Sequence, residues 1–245
     1  MIHENLESGD SVSEYSKHTT AVEWIEMGYL GVISSQQEAL NKPGHIIDYG
    51  CGPGFFSAYL AEKYKQKVTG VDISQEMINY CENEYTNKDL SFYQVGENKL
   101  AFSENNSIDG VVSCYVLMQI PSHDEQIAIC EEIYRVLKPG AKFTMLTMNP
   151  AYTGIQFDFL RNGDIGRVYS PGEKMTTELQ TDHGTLELED VYWPTQYYLN
   201  TFSRAGFSHI KCIEYCPAFG DNQDKAQFLI IEGIKLSNRE VSNGI

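Results

Sequence analysis

One segment, HIIDYGCGPGFFSAYLAEKY at residues 45–64, constrains this chain more than any other. It reads as a short apolar strand, His45 to Tyr49, then a loop with glycines at 50, 52 and 54, then directly a helix over 54–65. A helix that opens against a glycine loop offers unpaired backbone N–H groups and a positive dipole end, and missing β-carbons let a polar or anionic ligand approach the main chain. Such a loop suits a nucleotide-like molecule. Standing alone, the pattern is equally a turn that lets strand and helix pack.

The register of the glycines narrows the reading. A dinucleotide fingerprint needs its third glycine where the helix meets the strand, and counting from Gly50 that place holds Phe55. The register is therefore GxGxG, with Asp48 two residues ahead. A second strand in VTGVDISQEMI, residues 68–78, ends in Asp72. An acidic residue at that strand end takes both hydroxyls of a ribose, which fits an adenosine without a 2′-phosphate.

These segments resemble the class I S-adenosylmethionine-dependent methyltransferases of the small-molecule type. DYGCGPG is similar to the family's glycine-rich first motif and Asp72 to its ribose-binding acid. YQVGENKLAF, residues 93–102, resembles the third-strand motif, with Glu97 where aspartate is usual and Ala101 where proline is usual. SIDGVVSCYVLMQIP resembles the fourth strand, entered at Asp109, and IYRVLKPGAKFTML the helix, turn and fifth strand after it. Five such segments in order and at the right spacing carry the resemblance; none does so by itself.

Composition excludes several rivals. The 245 residues, 42% hydrophobic and 21% charged, suit one soluble domain with a large core. No run approaches 18 uncharged apolar residues, and MIHENLESGD is polar and acidic, so neither membrane span nor secretory leader is expected and the expected location is cytoplasmic. Six cysteines, at 51, 81, 114, 130, 212 and 216, form no CxxC pair; they read as free thiols, with no metal site expected. With 18 basic against 34 acidic residues the net charge is −16, a poor match to a phosphate backbone, so nucleic acid is disfavoured and a small neutral or cationic acceptor favoured.

Periodicity gives the organisation. Residues 1–40 form an N-terminal cap with a helix predicted in AVEWIEMGYLGVISSQQEAL, 41–235 the cofactor-binding domain, and 236–245 a tail. Strands at 45–49, 67–72, 90–94, 109–114 and 141–148 alternate with helices at 54–65, 74–86 and 122–137, which implies a parallel sheet covered on both faces. The alternating segments MTTELQ and TLELEDVYW predict an antiparallel hairpin beside the fifth strand, within an insert of about 150–193. A helix from Pro194 to a cap at Gly206 and strands at 207–215 and 226–233 complete the chain. The fold class is α/β: a doubly wound, seven-stranded Rossmann-like sheet with an N-terminal helical cap and a hairpin insert after the fifth strand.

The resemblance implies the cofactor S-adenosyl-L-methionine at the carboxyl ends of the strands. Its amino-acid part would lie near Asp48, Gly50, Cys51 and Gly52, its ribose on Asp72, and its adenine between Ile73 and the Gly96, Glu97, Asn98 loop, with Cys114 and Tyr115 near the sulfonium and Tyr15 closing over it. Candidate substrate-side residues are His18 and Trp24 of the cap and Asn149, Tyr152, Trp193, Tyr197 and Tyr198 around the insert. The 16 tyrosines would suit a polar aromatic pocket, although a tyrosine at helical spacing is also an ordinary packing residue. His123 is a candidate base or a surface residue at a helix start, and His183 belongs to a TDHG turn. In-line displacement at a sulfonium asks chiefly for alignment, so no catalytic residue is singled out. Four readings stay open: methyl transfer to N, O or C of a small metabolite; aminocarboxypropyl transfer or cyclisation of the same cofactor; a non-catalytic binder; and, against Phe55, a nicotinamide oxidoreductase.

Overall fold

The computed structural model describes residues 28–96, 99–181, 184–217 and 225–237. In chain order the elements are α1 (Leu30–Ser35), α2 (Gln37–Leu40), β1 (His45–Tyr49), α3 (Phe55–Tyr64), β2 (Lys67–Asp72), α4 (Gln75–Glu84), β3 (Leu90–Gln94), β4 (Ile108–Cys114), α5 (His123–Val136), β5 (Leu137–Met148), β6 (Leu160–Asn162), β7 (Lys174–Thr181), β8 (Gly184–Val191), α6 (Thr195–Arg204), β9 (Ser208–Tyr215) and β10 (Phe228–Ile234). Two Ser residues start helices as expected of N-caps: Ser74 accepts from the Met77 N–H and Ser122 from the Glu125 N–H.

The main sheet has seven strands in the order β3-β2-β1-β4-β5-β10-β9. β1 through β5 run parallel, while β10 is antiparallel to both β5 and β9. Alternate residues feed opposite faces, because successive strand side chains point to opposite sides. Ile47, Val111, Met145 and Ile231 pack under α5 and α6 with Ile133 and Phe202, while Ile46, Val112, Leu146 and Ile230 pack under α1 and α3 with Val32 and Leu60.

Two expectations are refined. β10 occupies the free edge of β5, so the predicted hairpin cannot pair there; β7 and β8 form a separate sheet with a third strand, β6. β5 also begins earlier than predicted: Leu137 pairs with Ile108 before a bulge around Gly140, which adopts φ +86°.

The described part of the N-terminal cap is two short helices bound to the sheet. Gln36, 2% exposed, donates to the Val111 and Lys142 carbonyls, and Glu232 in β10 accepts from Ser35 and Lys142. That seat aims the leading end of α1, at Tyr29, toward the mouth of the sheet.

Candidate active site

Each glycine of the 50–54 loop is required for a different reason. Gly50 has φ +74° and a β-carbon there would lie 2.2 Å from Val116 Cγ2. Gly54, at φ +79°, caps α3, and a β-carbon would meet Cys81 Sγ at 2.8 Å. Gly52 has φ +51° and faces open space, with nothing within 4 Å of a built β-carbon. The outer two glycines therefore serve packing, and the middle one leaves bare main chain facing a ligand-sized gap.

Asp72 ends β2 opposite that gap. Its two carboxylate oxygens accept from the Gly52 N–H and the Ser74 N–H, each at 2.9 Å. Asp48 lies beneath the loop, 2% exposed, and Ser57 Oγ donates to it at 2.6 Å. Burial pushes the Asp48 carboxyl up to about 7, opposed by the Ser57 hydrogen bond and assisted by the nearby Asp72 charge. Burial likewise raises the Cys51 and Cys114 thiols well above their usual range, so neither is a thiolate nucleophile at neutral pH.

The loop and Asp72 border a cavity of about 380 Å³ at the carboxyl ends of the parallel strands, a size suited to a small ligand. Gly50, Cys51, Gly52, Asp72, Ile73, Cys114 and Tyr115 line it. Asp48 sits behind the lining, and Gly96 follows the lining residue Val95. Tyr15, His18, Trp24, Glu97, Asn98 and His183 lie outside the described residues.

Each described substrate-side candidate has a partner within the protein. Asn149 is 3% exposed, accepts from the Ala151 N–H and donates to the Ala226 carbonyl, so it fastens a turn to β10. Tyr152 packs edge-on against Phe157 within the insert. Tyr198 is buried under the sheet, because the helical period of α6 turns it and Phe202 to one face. Trp193, 5% exposed, donates from Nε1 to the Ile120 carbonyl and braces the cavity wall from behind, with Tyr197 packed on it. His123 is held by Thr201 Oγ1 at 3.0 Å and lies away from the lining.

The wall also includes residues that the sequence did not single out. Tyr29 and Phe56 stack at 4.2 Å between ring centroids, and both line the cavity. Glu125 of α5 and the hairpin residues Lys174, Leu188 and Glu189 line another part. Lys174 Nζ stands 2.7 Å from Glu189 Oε1. The β7–β8 register, read ahead of time, would have placed Lys174 beside the strand that carries Glu189.

The comparisons with known proteins agree with this geometry. Residues 46–140 match a methyltransferase domain family, from β1 into β5. The chain is 39% identical over 235 residues to N-demethylindolmycin N-methyltransferase of Streptomyces griseus, covering 95% of this chain and 99% of that protein. It is 28% identical over 119 residues to the ubiquinone/menaquinone biosynthesis C-methyltransferase of Desulfotalea psychrophila, about half of each chain (48% and 47%). An S-adenosylmethionine-dependent methyltransferase structure from Mesorhizobium loti superposes with a TM-score of 0.55 at 18% identity, covering 82% of this chain and 97% of that one, which supports the fold. The chain belongs to the class I S-adenosylmethionine-dependent methyltransferases, in the branch that acts on small molecules. The bare main chain at Gly52 and the ordered carboxylate of Asp72 fit that family's cofactor.

Proposed function

We propose that this protein methylates a nitrogen of a small, planar, amine-bearing molecule. The carrying observation is the extent of the similarity to the N-methyltransferase, which spans 95% of this chain and so includes the insert and the end of the cap as well as the cofactor half. The partial C-methyltransferase match stops at about half the chain.

In this reading the main chain of Gly50, Cys51 and Gly52 holds the amino-acid part of the cofactor, with Asp48 bracing the loop from below. Asp72 takes the ribose, and Ile73 and Gly96 flank the adenine. Cys114 and Tyr115 border the sulfonium. When bound, the cofactor supplies an electrophilic methyl on a good leaving group. The chain's own work is to align a neutral nitrogen lone pair behind that methyl and to exclude water. The N–C bond forms as the C–S bond breaks with its electron pair staying on sulfur, and the resulting ammonium loses its proton afterwards.

Charge supports a neutral or cationic acceptor. The lining has carboxylates at Asp72, Glu125 and Glu189 against one ammonium, Lys174, which pairs with Glu189 and so leaves the other two in excess, and the whole chain carries −16. A phosphate backbone would be repelled. The partition into a cap of 1–40, a catalytic unit of 41–235 and a tail is part of the same proposal. The test is incubation with methyl-labelled S-adenosylmethionine and N-demethylindolmycin or simpler secondary amines. Label on nitrogen is expected; label on oxygen or carbon only, or none with any amine, would defeat the nitrogen assignment.

A further inference from the structure

The aromatic lining of the cavity is concentrated beside the glycine loop. Tyr29, Phe55, Phe56 and Tyr115 all line it. Tyr29 stacks on Phe56 with 23° between ring planes, and the Tyr115 ring centroid is 6.5 Å from that of Tyr29 at 44°. At that spacing nothing fits between Tyr29 and Tyr115, so they act as adjoining panels of one wall. The wall abuts the cradle, because Val116, next to Tyr115, is the residue against which Gly50 is pressed.

Tyr115 is held in an unusual backbone conformation. It adopts φ +61°, a region that bulky residues avoid and that persists where surroundings fix it. Those surroundings are visible: the Tyr115 N–H donates to the Leu146 carbonyl at 2.8 Å, and Phe228 meets its ring edge-on at 6.1 Å. Gly28 also closes on it, since a β-carbon there would lie 3.2 Å from Tyr115 Oη and 2.7 Å from Leu146 Cδ2. A ring fixed this firmly beside the reacting end of a cavity is preorganised for a ligand.

From this placement we infer that Tyr29 and Tyr115 are specificity-determining residues that receive the acceptor nitrogen, and that the wall selects amines whose nitrogen develops positive charge as the methyl is transferred. The inference rests on the nitrogen reading of the preceding section and deepens it. During transfer the positive charge moves from sulfur to nitrogen, and electron-rich ring faces attract it at its destination. The Glu125 carboxylate of the same cavity adds to the negative potential, while that of Glu189 is paired with Lys174.

The test uses the full chain saturated with S-adenosylhomocysteine, titrated with choline and with its neutral isostere 3,3-dimethylbutan-1-ol. Choline is expected to bind about tenfold tighter, the scale of a desolvated cation–aromatic contact. Its methyl protons should shift upfield in the NMR spectrum on binding, through ring currents. Tyr29→Leu should remove most of the preference while S-adenosylhomocysteine affinity stays within about threefold; Tyr115→Leu should also remove most of it, and Tyr115→Phe, which keeps the ring, should retain it. Equal binding of the two probes, no upfield shift, or a preference that survives both leucine variants would overturn the inference. So would variants that change discrimination between S-adenosylmethionine and S-adenosylhomocysteine and leave choline binding alone, since the rings would then face the sulfonium. The two readings fail separately. Nitrogen labelling without a cation preference removes the wall, and a cation preference without nitrogen labelling removes the proposed reaction.

Discussion

Gly50 and Gly52 are two residues apart, share a left-handed backbone, and should respond differently to the same substitution. Gly50→Ala places a methyl 2.2 Å from Val116 Cγ2, so strain and overlap add; a loss of about 2 kcal/mol or more is expected, read as a fall in Tm. Gly52→Ala meets nothing in the protein and costs about 1–2 kcal/mol of backbone strain. Its methyl instead occupies the side from which the ligand approaches, and titration calorimetry should show S-adenosylhomocysteine affinity falling about tenfold or more, roughly the 1.4 kcal/mol of one lost contact. Equal affinity in wild type and Gly52→Ala would mean the cradle faces elsewhere. At this scale the sequence was readable where consecutive residues carry a pattern, as in the 50–54 loop and in Asp72 at the end of a strand, which border the cavity. Tyr29, Glu125, Lys174 and Glu189 were not, because no local pattern distinguishes a cavity-lining tyrosine or glutamate from a solvated one. Only the closure of the sheet brings residues more than a hundred positions apart to one wall.

At the scale of elements, the insert sheet depends on a buried polar cluster. Asp190 of β8 is 2% exposed; Thr177 Oγ1 donates to it, and Asn162 Nδ2 donates at 3.3 Å, so the cluster ties all three strands together. Burial raises the Asp190 carboxyl to about 7, opposed by the Thr177 hydrogen bond and assisted by Glu189. The folded state then holds a proton that the unfolded chain has released above its ordinary value near 4, so stability declines as pH rises from about 4 to about 7 and levels off beyond. Asp48 has the same sign over the same range. Asp190→Asn should therefore gain on wild type between pH 5 and pH 7.5, with the gap in Tm widening by about 2–4 °C for each 1 kcal/mol. A gap independent of pH would show that Asp190 does not titrate there. The β7–β8 hairpin was legible in its two-residue alternation, whereas β6, three residues long, is too short to show a period. Trp193 and Tyr198 looked like roof aromatics because they flank a turn-rich insert. The pitch of α6 and the carbonyl of Ile120 draw them into the core instead.

The whole molecule carries −16 on 245 residues, and that charge opposes compaction as well as repelling polyanions. Raising sodium chloride from about 20 to about 150 mM shortens the screening length to roughly 8 Å and should raise Tm by about 1–3 °C; a fall would show that ion pairs such as Lys138–Asp109 and Lys142–Glu232 outweigh the net repulsion. The parallel pairing of β1 to β5 followed from the alternation of strands and helices, but the insertion of β10 between β5 and β9 has no local signal, since it depends on which sheet edge remains open. The site proposed at the open ends of the parallel strands is one for an adenosine-bearing methyl donor, and calorimetric titration with S-adenosylhomocysteine tests that most directly. One site of micromolar affinity is expected, weakened in Asp72→Ala by about 1.5–3 kcal/mol, the scale of a hydrogen bond to a charged group. No binding of the thioether, binding of NAD in its place, or an affinity indifferent to Asp72→Ala would contradict the assignment.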